Sequence, residues 1–256
     1  TGNVLLGVMS GILAGGLVGT ANGVVIARFR INALIATLAT MQIAKGMGYL
    51  ICKGEAVSVG NEGFFVLGNS AVAGVPTPVW ITAACFVVFG ILLNKTTFGR
   101  HTLAIGGNRE AVRLAGINVF KAQFSIFLMQ GLVAGFAGVI VASKMTSGQP
   151  KPPEGFALDV ISACVLGGVS LSGGVGTMTG ALVGVLIMGT VANAMNPLNV
   201  DTFYQYVARG LILLAAVLVV TGCGKGSEKN INQGAEEEQG TAALSGEIQI
   251  AGSTSV

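Results

Sequence analysis

Charged residues are absent from positions 4–27, 63–94, 122–143 and 160–200, and each of these stretches is dominated by aliphatic, aromatic and glycine residues. An apolar helix needs about 20 residues to cross a ~30 Å hydrocarbon core. Backbone groups inside lipid must bond within their own segment, so each run is read as a helix rather than an open strand. The pattern predicts an all-α, polytopic transmembrane helical bundle of about seven crossings, near residues 4–27, 33–52, 78–94, 121–143, 159–172, 177–195 and 205–221. The 41-residue run 160–200 would extend roughly 61 Å as one helix, about twice the membrane thickness. It must fold back, and Gly173-Gly174-Val175-Gly176 marks the place.

Composition sharpens this picture. Of 256 residues, 52% are hydrophobic and 10% charged, against about 25% charged in an average soluble domain. There are 40 glycines, where about 18 would be usual. An ordinary soluble domain is excluded. Residues 1–222 carry 12 Lys/Arg against 6 Asp/Glu, whereas residues 223–256 carry 2 against 5. The first stretch is read as the transmembrane domain and the second as a polar, disordered tail. The chain begins at Thr1 rather than Met and is read as incomplete at its N-terminus. Cys52, Cys85 and Cys164 lie in or beside apolar segments as small hydrophobes.

Positive charge sets the orientation, because Lys and Arg in short loops are retained inside. Arg28 and Arg30 follow the first crossing, and Lys95, Arg100, Arg109, Arg113 and Lys121 crowd the loop after the third; both belong to the cytoplasmic side. Loops 53–77 and 144–158 belong outside. Along the first helix, Gly7, Gly11, Gly15, Gly19 and Gly23 recur every fourth residue and form one stripe on which another backbone can approach closely. Gly131 with Gly135, and Gly176, Gly180 and Gly184, repeat the device.

Several chemistries drop out. Lys45 can snorkel from a helix end, Asp159 and Arg209 stand at helix entrances, and His101 lies in a loop, so no charge sits in mid-membrane to couple ion or proton flow. No Gly-x-x-x-x-Gly-Lys-Ser/Thr loop is present to cradle ATP, and one loop histidine assembles no catalytic set. The loop from Phe98 to Asn118 is the informative segment. Asn108 is placed to cap a short helix, Glu110 falls in its first turn, Arg113 nears its end, and Gly116 suits a left-handed stop. Ala111, Leu114 and Ala115 give it a small apolar face suited to a groove in a soluble partner.

Gly99-Arg100, Ala104-Ile105-Gly106-Gly107-Asn108, Ala111, Arg113-Leu114 and Gly116-Ile117-Asn118-Val119 closely resemble the signature loop of ribose-type ABC sugar importer permeases. So do Arg30 to Leu38, Val75 to Trp80, Gly155 to Asp159 and Val165 to Gly176, in order, and the resemblance covers roughly residues 1–218. It implies a multi-pass subunit of the bacterial cytoplasmic membrane that pairs with a second permease copy. It also implies a periplasmic or lipid-anchored sugar-binding protein as donor and a separate cytoplasmic ABC ATPase that holds ATP and Mg. The chain itself would bind no cofactor, catalyse nothing and meet lipid rather than nucleic acid. In such importers the loop with Arg100, Gly106, Gly107, Asn108, Arg109, Glu110, Ala111, Arg113, Leu114 and Gly116 is the ATPase-coupling element. Asp159, Gly167, Gly168, Ser172, Gly173 and Gly174, in a short glycine-broken segment, are the candidates for the translocation path, beside an alternative role in packing.

The chain departs from that family at both ends. Relatives carry further N-terminal spans with a Gly-Ile-Asp-Leu-Ser-Val-Gly type motif, so this stretch is expected not to transport alone. From about residue 219, Val220-Thr221-Gly222-Cys223 resembles a lipoprotein signal with Cys223 as its lipidated cysteine, and Glu247 to Val256 resembles the start of a phosphate-binding lipoprotein. A lipoprotein must emerge outside, whereas seven crossings put residue 222 inside. A join between two genes is the favoured explanation; a permease with an idiosyncratic tail is the other. The functional expectation is ATP-driven import of a monosaccharide such as ribose, with a secondary transporter or channel as the alternative and a lipoprotein precursor as a third.

Overall fold

The computed structural model describes residues 3–29, 31–150, 155–195, 197, 201, 204–216 and 218. The chain is an all-α membrane bundle. Among the described residues, five helices are long and apolar enough to span: α1 (Val4–Phe29), α2 (Ala33–Cys52), α4 (Thr77–Lys95), α7 (Val119–Met145) and α9 (Met178–Met195). Between them lie α3 (Glu62–Asn69), α5 (Thr97–Gly107), α6 (Arg109–Leu114) and α8 (Phe156–Leu166). Two small antiparallel pairs are also present: β1 (Val57–Ser58) with β4 (Ser147–Gly148), and β2 (Ala71–Val72) with β3 (Val75–Pro76).

The expectation of seven full crossings is corrected at the fifth. The apolar run that begins at 156 supports only the 11-residue α8, about 16 Å of helix. It stops at Gly167, whose missing Cβ is what allows the carbonyl of Gly180 to approach, and Gly168 then turns with φ +78. A glycine-rich loop carries the chain on to Gly173 and Gly174, which pack against Gly106 and Gly107. The seventh expected crossing is helical over 204–216. Its remainder, apart from residue 218, and the tail with Cys223 lie outside the described residues.

The bundle's axis is the antiparallel α1–α7 pair. Gly11 meets Val139, Gly15 meets Gly131 and Gly135, Gly19 meets Phe127 and Gly131, and Gly23 meets Phe124. Here the glycine stripe finds its partner. Gly7 is the exception, with nothing within 4 Å of the position a Cβ would take. Of the ladder Gly176, Gly180 and Gly184, the last two pair, Gly180 on Gly167 and Gly184 on the Ala163 carbonyl, joining α8 to α9, whereas Gly176 precedes α9 and meets the Val169 side chain.

The two ends of the bundle differ in chemistry. At one end α3 docks on α7: the wholly buried Ser143 donates its hydroxyl to the Phe64 carbonyl at 2.6 Å, and the Asn69 amide donates to the Ser143 carbonyl at 3.1 Å. The β2–β3 turn at Ala73 and Gly74 takes positive φ at both residues, and Trp80 ties it to α4 by donating to the Val72 carbonyl. Among the described residues, Lys53, Lys144 and Arg209 are basic at this end, against Arg28, Lys95, Arg100, Arg109, Arg113 and Lys121 at the other. The basic excess assigns the α5–α6 end to the cytoplasm.

Candidate functional site

The cytoplasmic loop is built from three successive caps. The Thr96 hydroxyl accepts from the Gly99 amide at the start of α5, the Asn108 carboxamide from Ala111 at the start of α6, and Asn118 from Lys121 at the start of α7. Each satisfies a backbone N–H that a helix start leaves without a partner. α6 ends where Gly116 adopts φ +79, its amide bonded to the Arg113 carbonyl while the Ile117 amide reaches back to Val112.

Beneath this backbone Ile105, Val112 and Val119 form a buried cluster joined by Ile117 and Ala122. It fixes α6 against α5 and α7 from below. Arg109 adds a lateral tie, donating to the Gln123 carboxamide oxygen at 2.8 Å. The upper face of α6 stays free: Ala111, Arg113, Leu114 and Ala115 are exposed, Leu114 to 86%. Arg100, Gly107, Asn108 and Glu110 are exposed as well. Arg109, Glu110 and Arg113 also border a cavity of about 370 Å³ that reaches Ala27 at the end of α1.

Gly106 links this loop to the segment singled out for the path. A Cβ there would collide with the Gly174 amide, and one at Gly174 would come within 2.7 Å of the Gly107 nitrogen. Gly173 and Gly174 have φ +92 and +80, so the loop needs glycine for conformation as well as for contact. The turn is held by the Ser170 amide donating to Val175 and the Gly173 amide to Ser170. Thus the α5–α6 loop and the α8–α9 turn, separate in sequence, are in backbone contact. Ser172 lies in that turn, Gly167 is closed on Gly180, and Gly168 has open space around it.

Asp159 lies elsewhere, in the first turn of α8, where its carboxylate accepts from the Arg209 guanidinium at 2.6 Å. Arg209 also lies 6.0 Å from the centre of the Tyr206 ring. The pair joins α8 to the helix at 204–216. Asp159→Asn and Arg209→Gln should each lower the unfolding midpoint of the detergent-solubilised protein, the lost charge-assisted bond costing about 1.5–3 kcal/mol. The exchange Asp159→Arg with Arg209→Asp should recover part of that loss. A swap no better than the sum of the single changes would show that the pair contributes no coupling.

Sequence reasoning missed the anchoring cluster, although Ile105, Val112 and Val119 stand seven residues apart. Two helix breaks hide that spacing. Nothing in the sequence pairs Asp159 with Arg209, or Arg109 with Gln123.

Residues 1–217 match the family model described as branched-chain amino acid transport system / permease component. Over 218 residues the chain is 58% identical to the L-arabinose transport system permease protein AraH of Escherichia coli (strain K12), covering 85% of this chain and 66% of that protein. It is 56% identical over 218 residues to the L-arabinose ABC transporter permease protein AraH of Azospirillum brasilense, covering 85% and 64%. Identity to the ribose import permease protein RbsC of Escherichia coli (strain K12) is 39% over 223 residues, covering 85% and 69%. The chain therefore spans just under two thirds of the length of the AraH proteins. No solved structure matches it. On the family match across residues 1–217 and on its membrane-spanning helices, the chain is a multi-pass protein of the bacterial cytoplasmic membrane and belongs to the branched-chain amino acid transport system / permease component family.

Proposed function

We propose that the chain is the membrane subunit of an ATP-driven importer that carries a monosaccharide inward, with α6 as the element through which an ATPase acts. The observation that carries this reading is a short helix capped at Asn108, anchored by Val112, and exposing Ala111, Leu114 and Ala115 on the basic side. Such a face suits a hydrophobic groove on a soluble partner. Force applied to α6 passes through α5 to Gly106 and on to the α8–α9 turn by backbone contact, with little side-chain slack to absorb it. ATP and Mg reside on the separate ATPase. A periplasmic or lipid-anchored binding protein delivers the sugar, and a second permease copy completes the pathway.

Identity of 58% to an L-arabinose permease protein against 39% to a ribose permease protein makes L-arabinose the first substrate to test and D-ribose the second. The experiment is reconstitution of the full-length permease with its ATPase and binding protein in proteoliposomes. Labelled L-arabinose should accumulate only with both ATP and the binding protein. Sugar flux indifferent to nucleotide would overturn the reading in favour of a secondary transporter or channel.

A further inference from the structure

Two cavities follow one another along the α1–α7 pair. The outer one, about 1010 Å³, is bordered by Gly7, Gly11, Ser58 and Gly138. The next, about 310 Å³, shares Gly135 with it and is bordered by Asn22, Phe127 and Gln130. Lining positions 7, 11, 15, 18 and 22 of α1, and 127, 131, 134, 138 and 142 of α7, recur at spacings of three and four. They occupy one face of each helix, so both cavities open on the same flank of the seam. Their volumes lie close to the ~300–1,000 Å³ range of small-molecule sites.

Two features set this flank apart from a packing gap. Gly7 and Gly138 have nothing within 4 Å of their Cβ positions, whereas Gly15, Gly19, Gly131 and Gly135 on the same helices are pressed against backbone. These two glycines serve no close approach; what they do is widen the outer cavity. The second feature is Asn22. It borders the inner cavity, yet its Oδ1 is buried without a hydrogen-bond partner among the described residues. An unmet buried acceptor costs about 1–3 kcal/mol, and polar side chains within membrane spans are kept for substrates or partners. The terminal torsion of a carboxamide is soft and roughly two-fold. A half-turn exchanges the oxygen and nitrogen of Asn22, and Gln130 supplies a second carboxamide on the other helix.

We propose that this flank is the route of the carried sugar, with Asn22 and Gln130 exchanging hydrogen bonds with its hydroxyls part-way across the membrane. The proposal rests on the reading of the chain as a sugar permease subunit. A polyol fits because each hydroxyl both donates to a carboxamide oxygen and accepts from its nitrogen. No charged residue is among the described residues lining either cavity, which leaves a bare ion without a counter-charge.

The test uses the full-length permease assembled with its ATPase and binding protein. Gly138→Leu puts a branched side chain into the outer cavity from a position whose Cβ would meet nothing within 4 Å, so folding and ATP hydrolysis should persist while uptake of labelled L-arabinose falls at least about tenfold. Asn22→Leu should lower uptake about tenfold as well, in keeping with one lost buried hydrogen bond, and Asn22→Gln should restore part of it. Gly189→Leu, equally open but on α9, should transport normally. Uptake by both Gly138→Leu and Asn22→Leu within about twofold of the parent overturns the route. A readout independent of transport is Gly138→Cys, which a membrane-impermeant methanethiosulfonate should label above the parent background and more slowly when L-arabinose is present. No added labelling overturns the route even where transport persists. Labelling of Gly138→Cys above background, where the parent shows no ATP-dependent uptake, supports an aqueous route and removes the importer reading instead.

Discussion

Replacing Ala111 and Leu114 together by Asp should abolish ATP-driven uptake by the full-length permease while the chain still inserts and folds. Both side chains are exposed, Leu114 to 86%, so the substitution breaks no contact within the chain. Burying Leu114 in a partner groove contributes about 1.5–3 kcal/mol. An aspartate taken into the same groove without a partner carries a desolvation penalty of several kcal/mol. Together these reach about 6 kcal/mol, and at ~1.4 kcal/mol per factor of ten the ATPase affinity falls roughly ten-thousandfold. The measurement is co-purification of the ATPase with the permease, beside labelled sugar uptake. Val112→Asp is the informative contrast, because Val112 is buried in the cluster that holds the loop. That variant should lose folded protein as well as coupling. Normal uptake by the double variant would remove α6 from the coupling role.

The long helices were legible because lipid imposes a simple rule: α1, α2, α4, α7 and α9 begin and end within a few residues of the crossings expected near 4–27, 33–52, 78–94, 121–143 and 177–195. α8 was not, for a physical reason. Hydropathy measures transfer into an apolar phase and cannot tell a helix facing lipid from a half-length helix followed by a loop buried among neighbours. α8 ends on a local glycine turn, Gly168 at φ +78 with the Val169 amide bonded back to the Cys164 carbonyl, and on the contact of Gly167 with Gly180, neither of which hydropathy registers. The glycine stripe likewise told which face of α1 would pack, since periodicity fixes a face. It could not name α7 as the partner, and it took Gly7 for a packing residue because spacing says nothing about where a helix leaves its neighbour. In the cytoplasmic loop the local chemistry was readable: Asn108 caps, Gly116 turns, and Ala111 and Leu114 are exposed. The long-range part was not, and the contact between Gly106 and Gly174 is what converts two separate sequence motifs into one mechanical unit.

That same distinction between open and jammed glycines sets the second large effect. Gly15→Leu should prevent α1 and α7 from closing. The added Cβ would collide with the Gly131 carbonyl oxygen and stand 2.7 Å from the Gly135 Cα and 2.8 Å from its nitrogen. Overpacking against side chains costs about 1–3 kcal/mol because rotamers can shift. Here the obstacles are backbone atoms of a continuous helix, so relief requires the two helices to move apart along their length. Van der Waals contact is the main attraction between helices in lipid, and separation forfeits it across the whole seam. Gly131→Leu meets the reciprocal obstacle, the Gly15 carbonyl and the Gly19 Cα at 2.7 Å. Each single change should therefore sharply reduce the protein recovered folded in mild detergent, and the double variant should lose little more, since the seam is already open. Gly7→Leu, on the same stripe but in open space, should fold like the parent. Equal recovery of Gly15→Leu and Gly7→Leu would show that the α1–α7 seam is not the axis on which the bundle assembles.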